Sequence, residues 1–278
     1  MNPIVKKKLS RALCMIVLAI FLIIAMFPIY WMINTSFKND SEINRTTATF
    51  FPERFTTSGY KELVRDKFFV ALRNSLFISL TVATLTILLA LPASYSIARL
   101  NFFGKKVVSQ SFLFAYMLPA AVMYLPMFIM LSRLDLTNNI GGLILIYPTL
   151  TIPYATWILI PYLSTIPKDL EESAMVDGAG RLQTMLRIVF PLALPGIMST
   201  FVFCFTMCWS EYLYALINIS STKYKTFPLI LAGLIKGDLY PWNEIMAGGA
   251  IACIPVVLIY MFCSKYLIGG LTAGAVKG

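Results

Sequence analysis

The sequence of 278 residues contains no histidine and only 13 acidic side chains, so two common kinds of functional site have little to be built from. Histidine is the commonest metal ligand and the usual proton carrier near neutral pH, and its absence argues against a metal centre or a histidine-dependent active site. The five cysteines all lie inside apolar stretches, where a thiol behaves as a small hydrophobic group. We expect neither a disulfide framework nor a metal site.

A nucleotide-binding loop is also missing, because no segment matches G-x-x-x-x-G-K-[ST]. We therefore expect that any ATP the chain depends on is hydrolysed by another polypeptide. Because histidine is also absent, we expect that the chain is not an enzyme, that it has no catalytic residues and that it binds no cofactor. The formal net charge of +10 comes from basic residues spread over several loops. Scattered charge of this kind does not predict a nucleic-acid-binding groove, and basic loops are common in membrane proteins, where they set topology.

Hydrophobic residues, in contrast, are abundant. They make up 58% of the chain against 13% charged residues, and the mean hydropathy is +0.76. This is more apolar surface than one soluble core can bury. A helix that crosses the hydrocarbon layer needs about 20 mostly apolar residues. We predict an all-α membrane protein whose six transmembrane helices cover residues 12–33, 74–98, 107–131, 140–163, 194–217 and 245–268.

The six predicted helices form one domain, residues 12–268, between a cytoplasmic N-terminus (1–11) and a cytoplasmic C-terminal tail (269–278). The first apolar run is too long for a signal peptide, and no small-x-small cleavage site follows it, so we expect it to remain as the first span. The excess of basic residues on the predicted cytoplasmic side is small, and the positive-inside rule supports this orientation mainly through the amino-terminal lysines.

Several prolines fall inside the predicted spans. The third span carries Pro119 and Pro126, and the fourth carries Pro148, Pro153 and Pro161. Proline kinks a helix, and a transmembrane helix tolerates it when neighbouring helices, hydroxyl groups or water satisfy the released carbonyl group. Two interpretations stay open: the kinked helices line a pathway, or the kinks serve packing alone.

A polar segment at residues 166–191 separates the fourth and fifth spans. Pro167 suits the first turn of a helix, and Asp169, Glu171 and Glu172 place negative charge at the positive end of that helix. One side of the helix is predicted to be apolar, through Ile166, Leu170 and Ala174. We predict a short helix that stops at Gly178.

A second short helix is predicted to follow a glycine turn. Gly178 and Gly180 permit a sharp turn that residues with a Cβ atom would resist. An apolar stripe then recurs at helical spacing until Pro191 ends it, and its members are Leu182, Met185, Leu186 and Val189.

These residues form a recognisable pattern: Glu172-Ser173-Ala174, three residues, Gly178, nine residues, then Ile188-Val189-Phe190-Pro191. The pattern resembles the EAA motif of the membrane subunits of ABC importers, with Ser173 where Ala is usual and Phe190 where Leu is usual. The likeness extends to four further pieces, Pro92–Arg99, Asp177–Ala179, Trp209–Leu213 and Gly270–Gly278. The chain is most similar to the maltose-type second permease subunit of the carbohydrate-importing branch.

The resemblance implies a type I ABC importer permease fold with a cytoplasmic coupling helix, which translocates a sugar or oligosaccharide by alternating access. The implied partners are a second permease subunit, two ABC ATPase subunits, an extracytoplasmic sugar-binding protein and membrane lipid. The implied location is the bacterial cytoplasmic (inner or plasma) membrane, crossed several times. The residues implied to contact the ATPase are Asp169, Glu171, Glu172, Ser173, Ala174, Asp177, Gly178 and Ala179. The other interpretation of these carboxylates is a solvated acidic start of a helix.

The terminal residues are a second candidate contact. The similar family tails reach into the ATPase pair, which suggests contacts from Thr272, Gly274, Val276 and Lys277. Without the resemblance, the same residues would be read as a frayed tail.

Candidate residues of the translocation pathway are aromatic, apart from one carboxylate: Tyr116, Tyr124, Tyr147, Trp157, Trp209, Glu211 and Tyr212. A sugar site needs flat aromatic faces and hydrogen-bonding groups, but aromatic residues in spans also serve packing or the interfacial belt. Glu211 is the only carboxylate inside an apolar run, which indicates function unless the side chain reaches the membrane interface.

Two other function classes fit less well. An ion-coupled secondary transporter usually carries several ionisable groups near the middle of the membrane, and only Glu211 is a candidate here. A membrane enzyme would need a cluster of catalytic groups at one face, which the lack of histidine and the confinement of carboxylates to loops argue against.

Overall fold

The structure is a computed structural model that describes the backbone of residues 3–275 and the side chains of residues 11–266. Its regular structure is helical, and the described residues contain one isolated β-bridge, between Lys236 and Leu239, but no strand. In chain order the helices are α1 (Pro3–Ser36), α2 (Asp40–Ile43), α3 (Ser58–Arg65), α4 (Phe68–Arg99), α5 (Lys105–Met117), α6 (Ala120–Arg133), α7 (Ile140–Ile146), α8 (Pro148–Ser164), α9 (Asp169–Val176), α10 (Arg181–Thr184), a π-helical turn (Met185–Val189), α11 (Phe190–Leu192), α12 (Leu194–Trp209), α13 (Leu213–Asn218), a 3₁₀ turn (Thr222–Tyr224), α14 (Phe227–Gly233) and α15 (Trp242–Ala275).

Four helical stretches of the described residues are long and apolar enough to cross a membrane, and up to six if each of two bent pairs is one span. The four are Arg11–Ser36, Phe68–Arg99, Ile140–Ser164 and Trp242–Tyr266. The bent pairs are Lys105–Met117 with Ala120–Arg133, and Arg181–Leu192 with Leu194–Trp209.

The chain divides into two compact units. The first comprises the described residues up to Phe68 together with Leu231–Ile254. The polar segment between α1 and α4 contains two short helices, α2 and α3. Gly59 in α3 has no room for a side chain, because a Cβ atom there would lie 2.7 Å from the carbonyl oxygen of Asn243.

The second unit comprises Phe69–Ile230 and the described residues from Pro255 onward. Helix α8 packs against α5 and α12. The core that surrounds the α7–α8 junction is built from apolar side chains of six helices and the segments next to them: Ile78, Val82, Leu131, Leu143, Ile146, Tyr147, Cys208, Tyr214, Ala215, Ile219 and Leu229.

The third predicted span is two helices rather than one kinked helix. Helices α5 and α6 meet at 97°, and the residues between them, Leu118 and Pro119, have extended backbone with ψ of 129° and 122°. Proline disfavours helical geometry in the residue before it and has no N–H group of its own, so Pro119 breaks the helix. Pro126, in contrast, lies inside α6.

The last two predicted spans also differ in detail. Residues 194–217 were predicted as one helix, but α12 ends at Trp209 and α13 begins at Leu213. Residues 269–275, predicted as part of a tail, continue α15. The run of apolar residues does not reveal either boundary, because both lie inside or beside stretches of high hydropathy.

Candidate functional site

Helix α9, the first of the two short helices predicted from the polar segment, ends in a glycine motif. Gly178 has φ +88°, its N–H group donates to the carbonyl oxygen of Met175 at 3.1 Å, and the N–H group of Ala179 donates to that of Ala174 at 3.0 Å. This pair of bonds is the Schellman motif, in which a residue in left-handed conformation closes the helix. The predicted stop at Gly178 therefore has a specific backbone cause.

The other two turn predictions need correction. Gly180 has φ −68° and ψ 156°, which any residue can adopt, so only Gly178 requires glycine. Pro167 lies outside α9, which begins at Asp169 after Lys168.

The segment after the turn contains a π-helical turn that the sequence does not predict. Pro191 does not end this segment but lies in the first turn of α11, where its missing N–H group is not needed. The chain bends by 75° at the start of α12. A π turn is wider than an α turn, so residues at α-helical spacing do not stay on one face. The predicted stripe is split accordingly, with Val189 buried and Leu182 and Leu186 exposed.

Helix α9 exposes both charged and apolar groups. The carboxylates of Asp169 and Glu172 are exposed, as is that of Asp177 in the turn. Val176 is 87% exposed, and Leu170 and Met175 are also exposed. Leu170 was predicted to share one apolar side with Ile166 and Ala174, and of these three residues only Ile166 is buried. We call this exposed face, with Ser173, the docking face. Exposed apolar groups rimmed by polar ones are typical of a protein–protein contact.

Glu171 does not belong to the docking face, although it was predicted to contact a partner. Its side chain is buried and pairs with Arg99, with 2.5 Å between Oε1 and Nε. The hydroxyl group of Tyr95 donates to Oε2 at 2.8 Å. Arg99 also donates from Nη2 to the carbonyl oxygen of Ile166 at 2.6 Å. Both carboxylate oxygens are thus occupied by the chain itself.

The remaining predicted contacts with the ATPase are only partly visible. Ala174 and Ala179 are half-buried. Thr272, Gly274, Val276 and Lys277, in the tail, lie outside the residues whose side chains the structure describes.

The candidate pathway residues fall into separate groups. Tyr124 and Tyr147 both contact the ring of Tyr214, at centroid distances of 4.6 and 6.4 Å, and Tyr147 also binds Glu211. Tyr212 packs against the same core. Glu211 itself lies in the break between α12 and α13 rather than inside a helix.

A second group lies along α5 and α8. The rings of Tyr116 and Trp157 stack with a centroid distance of 5.9 Å and an interplanar angle of 14°, and each residue is 42% exposed. Trp209 belongs to neither group, because it is buried between Phe205 and Phe227. Its surroundings indicate packing rather than ligand contact.

A polar cluster in the first unit was missed by the sequence analysis. The buried carboxylate of Glu42 accepts from the hydroxyl group of Thr49 at 2.5 Å and from the N–H group of Glu53 at 3.2 Å. The ammonium group of Lys38 donates to the carbonyl oxygen of Thr49. Burial raises the pKa of Glu42, but these hydrogen bonds and the charges of Lys38 and Arg45 outweigh burial and hold the pKa below its ordinary value.

The cluster lines a cavity of about 320 Å³. Arg45, which also lines the cavity, forms an ion pair with Glu53 at 2.8 Å. The only signal in the sequence was the near balance of basic and acidic residues in this segment, which does not say which of them meet.

Comparison with known proteins decides the family. The profile of the family described as "Binding-protein-dependent transport system inner membrane component" matches residues 87–272, which include α9 and most of the predicted spans. The chain belongs to this family. The predicted ABC permease family and its all-α type I importer fold are therefore confirmed, and the chain is a multi-pass membrane permease subunit of an ABC transporter that works with a binding protein.

Individual relatives extend over nearly the whole permease. The inner membrane ABC transporter permease protein YcjP of Escherichia coli (strain K12) is 36% identical over 98% of this chain and 99% of its own. The trehalose/maltose transport system permease protein MalG of Thermococcus litoralis is 32% identical over 97% and 98%. A chain in the crystal structure of a bacterial ABC transporter for the acidic polysaccharide alginate superposes with a TM-score of 0.76 at 20% identity, covering 94% of the permease and 97% of that chain.

Proposed function

We propose that the permease is one half of the membrane pathway of a sugar or oligosaccharide importer, and that helix α9 with its docking face is the contact through which ATP hydrolysis drives transport. The observation that carries this proposal is the docking face, which presents exposed acidic and apolar side chains on a helix fixed by the Gly178 motif. A rigid exposed helix transmits the displacement of a bound partner, whereas a soft loop would absorb it.

The proposed partners follow from this role. A second permease subunit would complete the pathway, two ATPase subunits would bind the docking faces and hydrolyse ATP, and an extracytoplasmic binding protein would deliver the sugar. The permease itself would bind no cofactor and catalyse no reaction. Both termini and α9 would then lie on the cytoplasmic side of the membrane. Carboxylates such as Glu172 would suit an arginine of the ATPase, since charge-assisted hydrogen bonds are about twice as strong as neutral ones.

The substrate class is supported by the names of two relatives. The Thermococcus litoralis relative is described as a trehalose/maltose permease, and the superposable structure is described as an alginate importer. Among the candidate pathway residues, the stacked rings of Tyr116 and Trp157 are the aromatic pair most available to a sugar, because both are partly exposed. Ligand sites are lined mainly by apolar and aromatic side chains with a few polar groups.

The test is ATP hydrolysis by the reconstituted complex, stimulated by binding protein loaded in turn with maltose, trehalose or an alginate oligosaccharide. Glu172→Arg reverses charge on the docking face, and Asp66→Arg makes the same change at an exposed residue that ends α3. We expect the Glu172→Arg variant to insert normally into the membrane but either to fail to assemble with the ATPase or to show a stimulated rate at least about tenfold lower. A tenfold decrease corresponds to about 1.4 kcal/mol of coupling free energy. Asp66→Arg should retain both. Full assembly and stimulation with Glu172→Arg would refute the docking role, and stimulation by none of the sugars would refute the substrate class.

A further inference from the structure

A buried ion pair ties α9 to a helix that is not its neighbour in the sequence. Arg99 is the last residue of α4, and Glu171 lies in the first turn of α9. Their side chains are 5% and 8% exposed. Along the chain, α9 is connected directly only to α8 and α10. The ion pair therefore adds a third connection, between α9 and the end of α4.

The connection has three points of attachment. The Arg99 guanidinium group binds the Glu171 carboxylate and, through Nη2, the carbonyl oxygen of Ile166 in the segment that leads into α9. Tyr95, one helical turn before Arg99, donates to the other carboxylate oxygen. Residues four apart in a helix share a face, so Tyr95 and Arg99 can both bind the Glu171 side chain.

This arrangement resists separation. The contacts are charge-assisted and shielded from water. Hydrogen bonds of this kind are stronger in the protein interior than in water. If α9 moved away from α4, a buried charge would be left without a partner, which is strongly unfavourable. The two helical segments are therefore expected to move together.

Helix α4 also has a place where its end can bend. Pro92 lies inside the helix, about two turns before Arg99. Proline removes a backbone hydrogen bond, and sharp helix bends concentrate at such residues. The segment from Ala93 to Arg99 can thus follow α9 while the earlier part of α4 stays in place.

We infer that Arg99, Glu171 and Tyr95 form a mechanical link that carries the displacement of α9 into the end of α4, and that the three are positioning residues for transport. This inference rests on the proposed role of α9 as the contact with the ATPase. It assigns different roles to two adjacent glutamates: Glu172 contacts the ATPase, and Glu171 binds α4 of the permease itself.

The first test measures sugar transported per ATP hydrolysed in proteoliposomes, with the binding protein loaded with whichever of maltose, trehalose or the alginate oligosaccharide stimulates the wild-type complex. Glu171→Gln and Arg99→Gln should assemble with the ATPase but transport on the order of tenfold less sugar per ATP, in the range typical of lost coupling between sites. The double variant Arg99→Glu with Glu171→Arg should recover at least part of the ratio. Arg133→Gln, at an exposed arginine in the last turn of α6, is the matched control and should keep the wild-type ratio.

An unchanged ratio in both single variants would overturn the link and leave the proposed docking role intact. Loss of assembly in Glu171→Gln, as expected for Glu172→Arg, would also overturn it, because Glu171 would then belong to the docking face. If Glu172→Arg itself assembles and responds normally, the proposed function fails whatever the ratio shows.

A second measurement does not depend on the folding of these variants. Spin labels at Lys168→Cys, the residue before α9 and outside the docking face, and at Phe103→Cys just after α4 would occupy exposed sites, after replacement of the exposed Cys14 and Cys253. We expect the same inter-label distance in the nucleotide-free and ATP-bound complexes. A distance that differs between the two states would show that α9 moves independently of α4 and would overturn the link.

Discussion

The carboxylate of Glu211 accepts a hydrogen bond from the hydroxyl group of Tyr147 at 2.8 Å and thereby joins the break after α12 to the junction of α7 and α8. The same carboxylate accepts the backbone N–H groups of Tyr214 at 2.8 Å and Ala215 at 3.2 Å. These N–H groups belong to the first turn of α13 and have no partner within that helix. Glu211 thus acts as a helix cap and as a bridge between helices, which explains how a carboxylate is accommodated in an apolar region.

Glu211→Ala is expected to destabilise the complex by about 2–4 kcal/mol, because it removes a helix cap and leaves the buried hydroxyl group of Tyr147 unpaired. Tyr147→Phe should cost about 1–2 kcal/mol, since it removes one hydrogen bond only. Thermal unfolding of the purified complex measures both. The double variant should lose less than the sum of the two, because the residues share one interaction. The exposed Tyr240→Phe is a control that should leave the unfolding temperature unchanged. Strict additivity of the two changes would contradict the bridge.

Gly178→Ala is expected to impair coupling, whereas Gly180→Ala should not. A Cβ atom meets no neighbour within 4 Å at either position, so the two variants differ only in backbone conformation. At φ +88° an alanine is strained by about 1–2 kcal/mol, and at φ −68° it is not. Sugar-stimulated ATP hydrolysis and assembly are the measurements. Gly178→Asn should fall between the two, because asparagine tolerates left-handed geometry. Equal activity of the two alanine variants would show that the shape of this turn is not needed.

Local features of the sequence predict much of this region. The apolar runs coincide with the four long apolar helical stretches, and the glycine after Asp177 correctly marks the end of α9, since both signals act within a few residues. The break at Leu118-Pro119 could also have been predicted, because proline disfavours helical backbone geometry in the residue before it. The length of the apolar run instead favoured one continuous span.

The partners of individual charges could not be predicted in this way. Glu171 and Glu172 are neighbours about 100° apart around the helix, and nothing local says which of them is buried. The answer depends on Arg99, which lies in another helix far away in the sequence. The π turn at Met185–Val189 could not be predicted either. It changes which residues share a face of the helix, but no characteristic sequence marks it.

Replacement of the exposed aromatic pair is expected to weaken sugar handling. Trp157→Ala removes one of two stacked rings and should raise the KM for sugar transport on the order of tenfold, equivalent to about 1.4 kcal/mol of binding. Trp157→Phe should recover part of this loss, because it restores an aromatic face. Trp209→Phe is the contrasting variant: Trp209 is buried between Phe205 and Phe227, so the change should lower thermal stability and leave KM unaltered. An unchanged KM for Trp157→Ala would remove the pair from the pathway.

The cluster around Glu42 should make the segment between α1 and α3 sensitive to acid. The pKa of Glu42 is below its ordinary value in the folded protein, so the unfolded segment binds its proton first as the pH falls. Glu42 therefore stabilises the fold above its ordinary pKa, and this contribution disappears as the pH falls through the lowered pKa. Protection of the Glu53 backbone N–H group against hydrogen exchange, corrected for the intrinsic rate, measures the effect because that group donates to the Glu42 carboxylate. Glu42→Gln should reduce protection near neutral pH and flatten its dependence on pH.

Asp40, in the same short helix, provides a control of opposite sign. Burial raises the pKa of Asp40, although its backbone hydrogen bond with Asn243 works against this. The folded segment therefore binds the proton of Asp40 more readily than the unfolded one, and acid favours folding at this residue. Asp40→Asn removes that favourable contribution, so it should steepen the loss of protection on acidification, where Glu42→Gln flattens it. If both variants change the slope in the same direction, the acid response belongs to the net charge of the segment and not to the specific contacts of Glu42.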